Sequence, residues 1–159
     1  MLSAEQAVLH AMVREEMTGD AETIQVVREV RGEDQVVFAI TYAEPSGRRR
    51  RGLAGVERVG EEWLPAGSCS GIADARADDA FWDSYGGWAA STSRVLGGWV
   101  ADPRAVRLVA HDGAGRMVET GVVDRVAVLF LPGSFALATI VATAADGTLL
   151  GETAPGSRT

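Results

Sequence analysis

Gly67-Ser68-Cys69-Ser70-Gly71 is the stretch of this chain that spells a nucleophile motif, G-x-C-x-G, with a thiol at the reactive position. Such an elbow needs a buried strand before it, a helix after it, and a histidine and an acid brought in from elsewhere. His111 with Asp112 could supply the base and the acid, but sequence neighbours point away from one another. The strand-like segment ahead of Cys69, residues 61–64, is short, and the surrounding pattern is antiparallel rather than parallel. The residue pattern therefore favours a small thiol in a flexible Gly/Ser loop. A small-ligand-binding domain or a hydrolase using Cys69, with a pocket between a helix and a sheet, is the alternative reading.

Other chemistry-bearing residues have plainer roles. His10 and His111 are the only histidines, and with Cys69 they show no metal-ligand spacing, so no metal and no cofactor is expected. Asp74, Asp78, Asp79 and Asp83 do not fit a D-x-D-x-D-G calcium loop and read as a solvated face, with Asp78 able to cap a short helix. Arg48, Arg49, Arg50 and Arg51 follow Pro45-Ser46-Gly47 and open a strand, where alternation sends them to opposite faces. They read as a charged hairpin tip or protected edge; the alternatives are an anion or RNA contact, or a docking site for an acidic partner, because Arg forks bind carboxylates bidentately. Trp82, Tyr85, Trp88 and Trp99 lie among glycines, where aromatics either pack a connector or anchor an interface.

The elements that must position these residues can be read from turn signals and periodicity. Ser3 with Gln6 matches a capping box, and Ala4, Ala7, Val8, Ala11 and Met12 recur at helical spacing up to Gly19, predicting a helix over residues 4–18. Residues 23–31 and 35–42 form a predicted hairpin across Gly32-Glu33-Asp34, and residues 49–58 and 61–64 a second, ended by Pro65. One helix laid on about four antiparallel strands is an α+β arrangement, and its element order resembles the helix-on-sheet layout of cystatin-like domains.

Residues 67–98 read as a Gly- and aromatic-rich connector with one short helix around residues 78–85. Beyond it, residues 105–111, 117–123, 126–131 and 135–143 are strand-like and separated by Asp112-Gly113, Asp124-Arg125, Pro132-Gly133 and Asp146-Gly147 turns. The expected division is a helix plus sheet over 1–66, the connector over 67–98, a β-sandwich-like module over 99–152 and a flexible tail over 153–159. Trp99-Val100-Ala101-Asp102-Pro103 and the turns that follow resemble bacterial immunoglobulin-like or transthyretin-like sandwich modules, which implies an antiparallel sandwich. The Cys–Trp–Cys pattern of a true immunoglobulin domain is absent. About five strands are few for a sandwich, so the N-terminal half or a second copy is expected to help complete its core. The wholly apolar run 126–131 predicts a strand buried on both faces.

Composition narrows the function classes. With 159 residues, 47% hydrophobic and 23% charged, the chain can bury a sizeable core. A net charge of −7 opposes nucleic-acid and anionic-membrane binding. All 15 basic residues are arginine, and neither Lys nor Asn occurs, which removes Schiff-base and P-loop chemistry and Asn-Gly turns. Lys and Asn codons are AT-rich, so their joint absence points to a GC-rich bacterial genome. The single cysteine excludes an internal disulfide framework, no apolar run spans a bilayer, and the first residues lack a signal-peptide pattern, so a cytoplasmic location is expected. The reading is a mainly β (α+β), non-enzymatic bacterial protein that binds a protein partner or itself as a homo-oligomer. Its contact residues are expected at Trp82, Tyr85, Trp88 and Trp99, with the arginine run as a second contact.

Overall fold

The computed structural model describes residues 1–72, 82–90 and 93–154. Asp74, Asp78, Asp79, Phe81 and Pro155 onward lie outside them, as do the side chains of Asp83 and Tyr85. The chain is mainly β and divides into two units, Met1–Ala75 with Gly86–Ser91, and Arg76–Tyr85 with Thr92–Thr159.

The first unit is a helix on an antiparallel sheet. Helix α1 (Ala4–Glu15) starts at the expected capping box: Gln6 N–H donates to Ser3 Oγ at 3.1 Å, and Ser3 N–H to Gln6 Oε1 at 3.0 Å. Leu9, Met12 and Val13 are its buried stripe. The helix stops earlier than Gly19 because Thr18 takes a left-handed φ of +51° and Gly19 N–H turns back to the Val13 carbonyl at 2.8 Å. Strands β1 (Asp20–Arg31), β2 (Gln35–Ala43), β3 (Arg49–Val59) and β4 (Glu62–Ile72) follow as a meander in the order β1-β2-β3-β4. Val36, Phe38, Ile40, Tyr42, Ala54 and Val56 alternate onto the helix side and form one core with Leu9, Met12, Val13 and Met17.

Strand β4 is the first departure from the sequence reading, which stopped it at Pro65. Val56 pairs with Pro65 and Gly55 with Gly67, so Ala66 is an extra residue in a bulge and the strand runs on to Ile72. Pro65 is tolerated because β4 is the last strand of its sheet, where a missing N–H interrupts no outer ladder.

The second unit is a two-sheet sandwich. Strands β5 (Trp82–Ala89), β6 (Ser93–Val100) and β9 (Val126–Pro132) form one sheet in that order, the end of β5 from Gly86 on being part of the first unit. Strands β7 (Arg107–Asp112), β8 (Met117–Gly121), β10 (Leu137–Thr143) and β11 (Leu149–Thr153) form the other, ordered β11-β10-β7-β8. Trp82, Val100, Leu108, Ala110, Ala127, Leu129, Leu131, Phe135, Ile140 and Ala142 fill the space between them. Strand β9 is buried on both faces, as its apolar run predicts: Val126 and Val128 are as inaccessible as Ala127 and Leu129.

Two expectations fail in this unit. The segment read as a connector with a helix supplies β5 and β6, so residues 82–85 are strand and the sandwich has seven strands among the described residues, not five. Its glycines disguise it. Gly97 pairs with Val128, and a Cβ there would lie 2.7 Å from the Ala127 carbonyl oxygen, so the glycine marks a close strand approach rather than a loop.

One hairpin loop recurs where Gly47, Gly115 and Gly147 take φ of +87°, +90° and +86°, the left-handed residue of a turn-plus-bulge loop. The Asp124-Arg125 turn is different. Val123 and Val126 exchange backbone hydrogen bonds at 3.0 and 2.9 Å around two residues with φ of +52° and +66°. That is a two-residue hairpin made without glycine.

Candidate functional site

Cys69 sits within β4, opposite Leu53 on β3, in an antiparallel edge strand rather than at a strand-to-helix turn. The G-x-C-x-G sequence therefore does not form an elbow. A Cβ added to Gly86 would come 2.4 Å from the Cys69 sulfur, so the backbone at Gly86 passes directly over the thiol. Burial pushes the thiol pKa up, with a weaker opposing effect from a backbone hydrogen bond at Leu53. A raised pKa is the reverse of what an activated nucleophile needs.

Asp112 is committed to the β7–β8 turn. Its Oδ1 accepts the Ala114 and Arg116 N–H groups at 2.9 and 2.8 Å, and its Oδ2 accepts Arg116 Nε at 2.6 Å. Burial raises the Asp112 pKa, but the Arg116 guanidinium and these two N–H donors outweigh it and hold the carboxyl below its ordinary value. Arg116 also donates to the Ser134 carbonyl oxygen at 2.6 Å and lies over the Phe135 ring, 5.4 Å from its centre. The group thus staples the β7–β8 turn to the β9–β10 turn. His111, one residue earlier, is half-buried and pairs with Met117 and Thr139 across the sheet. His10 is half-buried on α1. Among the described residues no three of His, Cys, Asp or Glu gather as a metal site.

The aromatics separate into three situations. Trp82 is 2% exposed in the sandwich core and Trp99 is 9% exposed, so neither offers an open face. Tyr85 lies on β5, its side chain outside the described part. Trp88 is half-buried, and its indole lies flat on bare backbone. A Cβ at Gly67 would come 2.2 Å from its Cγ, and one at Gly55 2.3 Å from its Cζ2. Gly55 and Gly67 are paired across β3 and β4, so together they make a flat seat for one aromatic ring. The indole Nε1–H is buried there with no hydrogen-bond acceptor among the described residues. Sequence reasoning found Trp88 but not its seat, whose only signal was two glycines in separate strands.

The arginine run splits between faces as alternation requires. Arg50 stands opposite Tyr42, donates Nη1–H to Glu44 at 2.8 Å and Nη2–H to Ser70 at 3.3 Å, and is half-buried. Arg49 donates to Thr41 at 2.9 Å on the other face. Arg48 and Arg49 are exposed at the β2–β3 tip, and neither enters an ion pair among the described residues.

The far end of the same sheet is acidic. The β1–β2 turn holds Glu33 and Asp34, the β3–β4 turn holds Glu61 and Glu62, and Glu29 and Glu57 flank them. Arg31 bonds Glu29 and Glu5, and Arg58 reaches Asp34 at 4.0 Å, but Glu33, Glu61 and Glu62 have no ion pair among the described residues. Eleven residues of β3 separate the two ends, which is roughly 35 Å at the rise of an extended strand. Asp20 and Glu22, at the start of β1, stand at the arginine end but across β2 from Arg49.

Compared with known protein families, characterised proteins and solved structures, the chain matches none. No helix among the described residues is long and apolar enough to cross a membrane.

Proposed function

We propose that the chain is a non-catalytic bacterial cytoplasmic protein that works by protein–protein contact, in the first place with further copies of itself. One observation carries this reading: the first unit's sheet presents exposed Arg48 and Arg49 at one end and exposed Glu33, Glu61 and Glu62 at the other, none of them in an ion pair among the described residues. An Arg48/Arg49 tip on one copy complements the Glu33/Glu61/Glu62 end of the next. Because the two patches are different, the contact is heterologous, giving a ring if the rotation closes and a filament if it does not. Bidentate Arg–carboxylate pairs set the orientation.

Exposed ion pairs contribute only about 0.2–1 kcal/mol each, so a single junction is weak and falls apart in salt. Sedimentation at high protein concentration, in low and in moderate salt, tests the reading. Association that grows with concentration, and is lost in salt and in Arg48→Glu/Arg49→Glu, is expected. A chain that stays monomeric in low salt overturns self-assembly.

The second unit we read as an immunoglobulin-like scaffold. Its first, second and fifth strands (β5, β6, β9) share one sheet and the other four share the second. This differs from the constant-type immunoglobulin distribution only in the sheet to which the fourth strand belongs. On this reading the sandwich carries no chemistry, in keeping with Asp112 and Arg116 being spent on its turns.

A further inference from the structure

We propose that the open edge of β8 takes an extended peptide of a partner protein as an additional strand, with a basic residue opposite Glu119 and an apolar one opposite Met117. The phase of the ladder gives the direction of the backbone groups. Asp112 N–H donates to the Arg116 carbonyl at 3.1 Å and Val122 N–H to the Val106 carbonyl at 2.9 Å, in the register that pairs Ala110 with Val118 and Leu108 with Thr120. Along an antiparallel pair, hydrogen-bonded positions alternate with positions whose N–H and C=O groups point outward. Val118 and Thr120 therefore bond β7, and the backbone groups of Met117 and Glu119 face away from it. Strand β8 is the last of its sheet, and among the described residues those outward groups have no hydrogen-bond partner. Both residues are exposed.

The other edges whose register is described are guarded, and β8 is not. Strand β1 carries two register shifts, β4 the Ala66 bulge and Pro65, and β11 one shift, while Val126 and Val128 of β9 are buried. Bulges, proline and cover are how sheets blunt their edges. The β7–β8 ladder has no shift, so β8 is a flat template for strand addition. Its side chains set the chemistry of the occupant. Val118 packs against the sandwich core, so Met117 and Glu119 stand on the opposite face, with Met117 66% exposed. Arg107 donates to Glu119 Oε2 at 3.2 Å, leaving Oε1 without a donor among the described residues. A basic residue directly across from Glu119 supplies one, and the net charge of −7 favours such a partner. A second copy of β8 fits worse. Its fully overlapped antiparallel register sets Glu119 against Glu119, and like charges directly opposite are destabilising.

Peptide titration of the intact chain, followed by amide NMR, tests the proposal. The probe is the capped pentapeptide valine-threonine-arginine-threonine-valine, whose arginine and two valines share one face when extended. The expected result is saturable shifts of the Met117 and Glu119 amides with a dissociation constant on the order of 1 mM. Hydrogen exchange of those two amides slows by about tenfold at saturation. The same peptide with glutamate in place of arginine binds at least about fivefold more weakly. Glu119→Pro deletes the outward N–H without removing a bond to β7, and binding is lost. Shifts absent from Met117 and Glu119, shifts centred on β1, β4 or β11 instead, or wild-type binding by a folded Glu119→Pro would each overturn strand addition at β8. Equal binding of the two peptides overturns the basic partner. Should Glu119→Pro fail to fold, the two peptides on the wild-type chain decide alone.

Discussion

Replacing Trp88, Gly55 and both together by alanine measures whether the glycines of β3 and β4 exist to seat one indole. A tryptophan side chain buries roughly 150–250 Å² when fully enclosed, so half-buried Trp88 keeps on the order of 100 Å² from water. At about 25 cal/mol per Å² that contributes about 2.5–3 kcal/mol. Returning the unpaired indole N–H to water recovers about 1 kcal/mol, so Trp88→Ala costs about 2 kcal/mol net. Gly55→Ala puts a Cβ 2.3 Å from the indole Cζ2 and must displace the ring, forfeiting the same contact. It regains about 0.5 kcal/mol because alanine suits a strand better than glycine, leaving a loss of about 1.5 kcal/mol. In the double variant the ring atoms nearest position 55 are gone, so Gly55→Ala becomes mildly favourable and the pair costs about 1.5 kcal/mol rather than the additive 3.5. Urea unfolding of the four proteins, monitored by far-UV circular dichroism, should return a coupling of about 2 kcal/mol. Additivity within about 0.5 kcal/mol would refute the seat.

Two further predictions concern turns. The Asp112 carboxyl is held below its ordinary pKa, so its contribution is complete above the unfolded value near 3.9 and is lost as pH falls through the lower folded value. Carbon-detected NMR titration should therefore give Asp112 a midpoint below 3.9, with Arg116 and Phe135 signals moving together; a midpoint at or above 3.9 contradicts the staple. In the Asp124-Arg125 turn both residues have positive φ, but Arg125 donates to the Val100 and Ala101 carbonyl oxygens at 3.1 and 2.5 Å. Asp124→Gly should thus gain about 0.5 kcal/mol by relieving strain, while Arg125→Gly should lose about 1 kcal/mol because two charged hydrogen bonds outweigh the strain relieved. Thermal melts that rank the two variants the other way would show that strain, not the arginine clamp, dominates.

How much was legible from sequence follows the physics of each element. The Ser3/Gln6 capping box, the hairpins and the Asp-Gly turns carry their reasons locally, and they appear where the sequence puts them. Strands β5 and β6 and the second half of β4 were missed because Gly67, Gly71, Gly86, Gly87, Gly97 and Gly98 read as loop. Where the structure explains them, these glycines answer distant groups: Gly67 the Trp88 ring, Gly86 the Cys69 sulfur and Gly97 the Ala127 carbonyl. A single sequence does not state such long-range partners. Pro65 misled for the same reason, since its tolerance depends on β4 being the last strand of its sheet. The candidate site was legible only in part. Alternation of the arginines followed from strand geometry, but the opposed acidic end appears only once the four strands are laid side by side and both of its turns fall together.

Sedimentation velocity of the wild-type chain at high concentration, in about 20 mM and about 300 mM salt, addresses the head-to-tail contact most directly. In low salt the weight-average sedimentation coefficient should rise with concentration. That rise should disappear in the higher salt and in Arg48→Glu/Arg49→Glu, and return when Glu61→Arg/Glu62→Arg is mixed with the arginine-tip variant. A coefficient that stays at the monomer value in low salt, or association that is indifferent to both pairs of substitutions, would contradict the account.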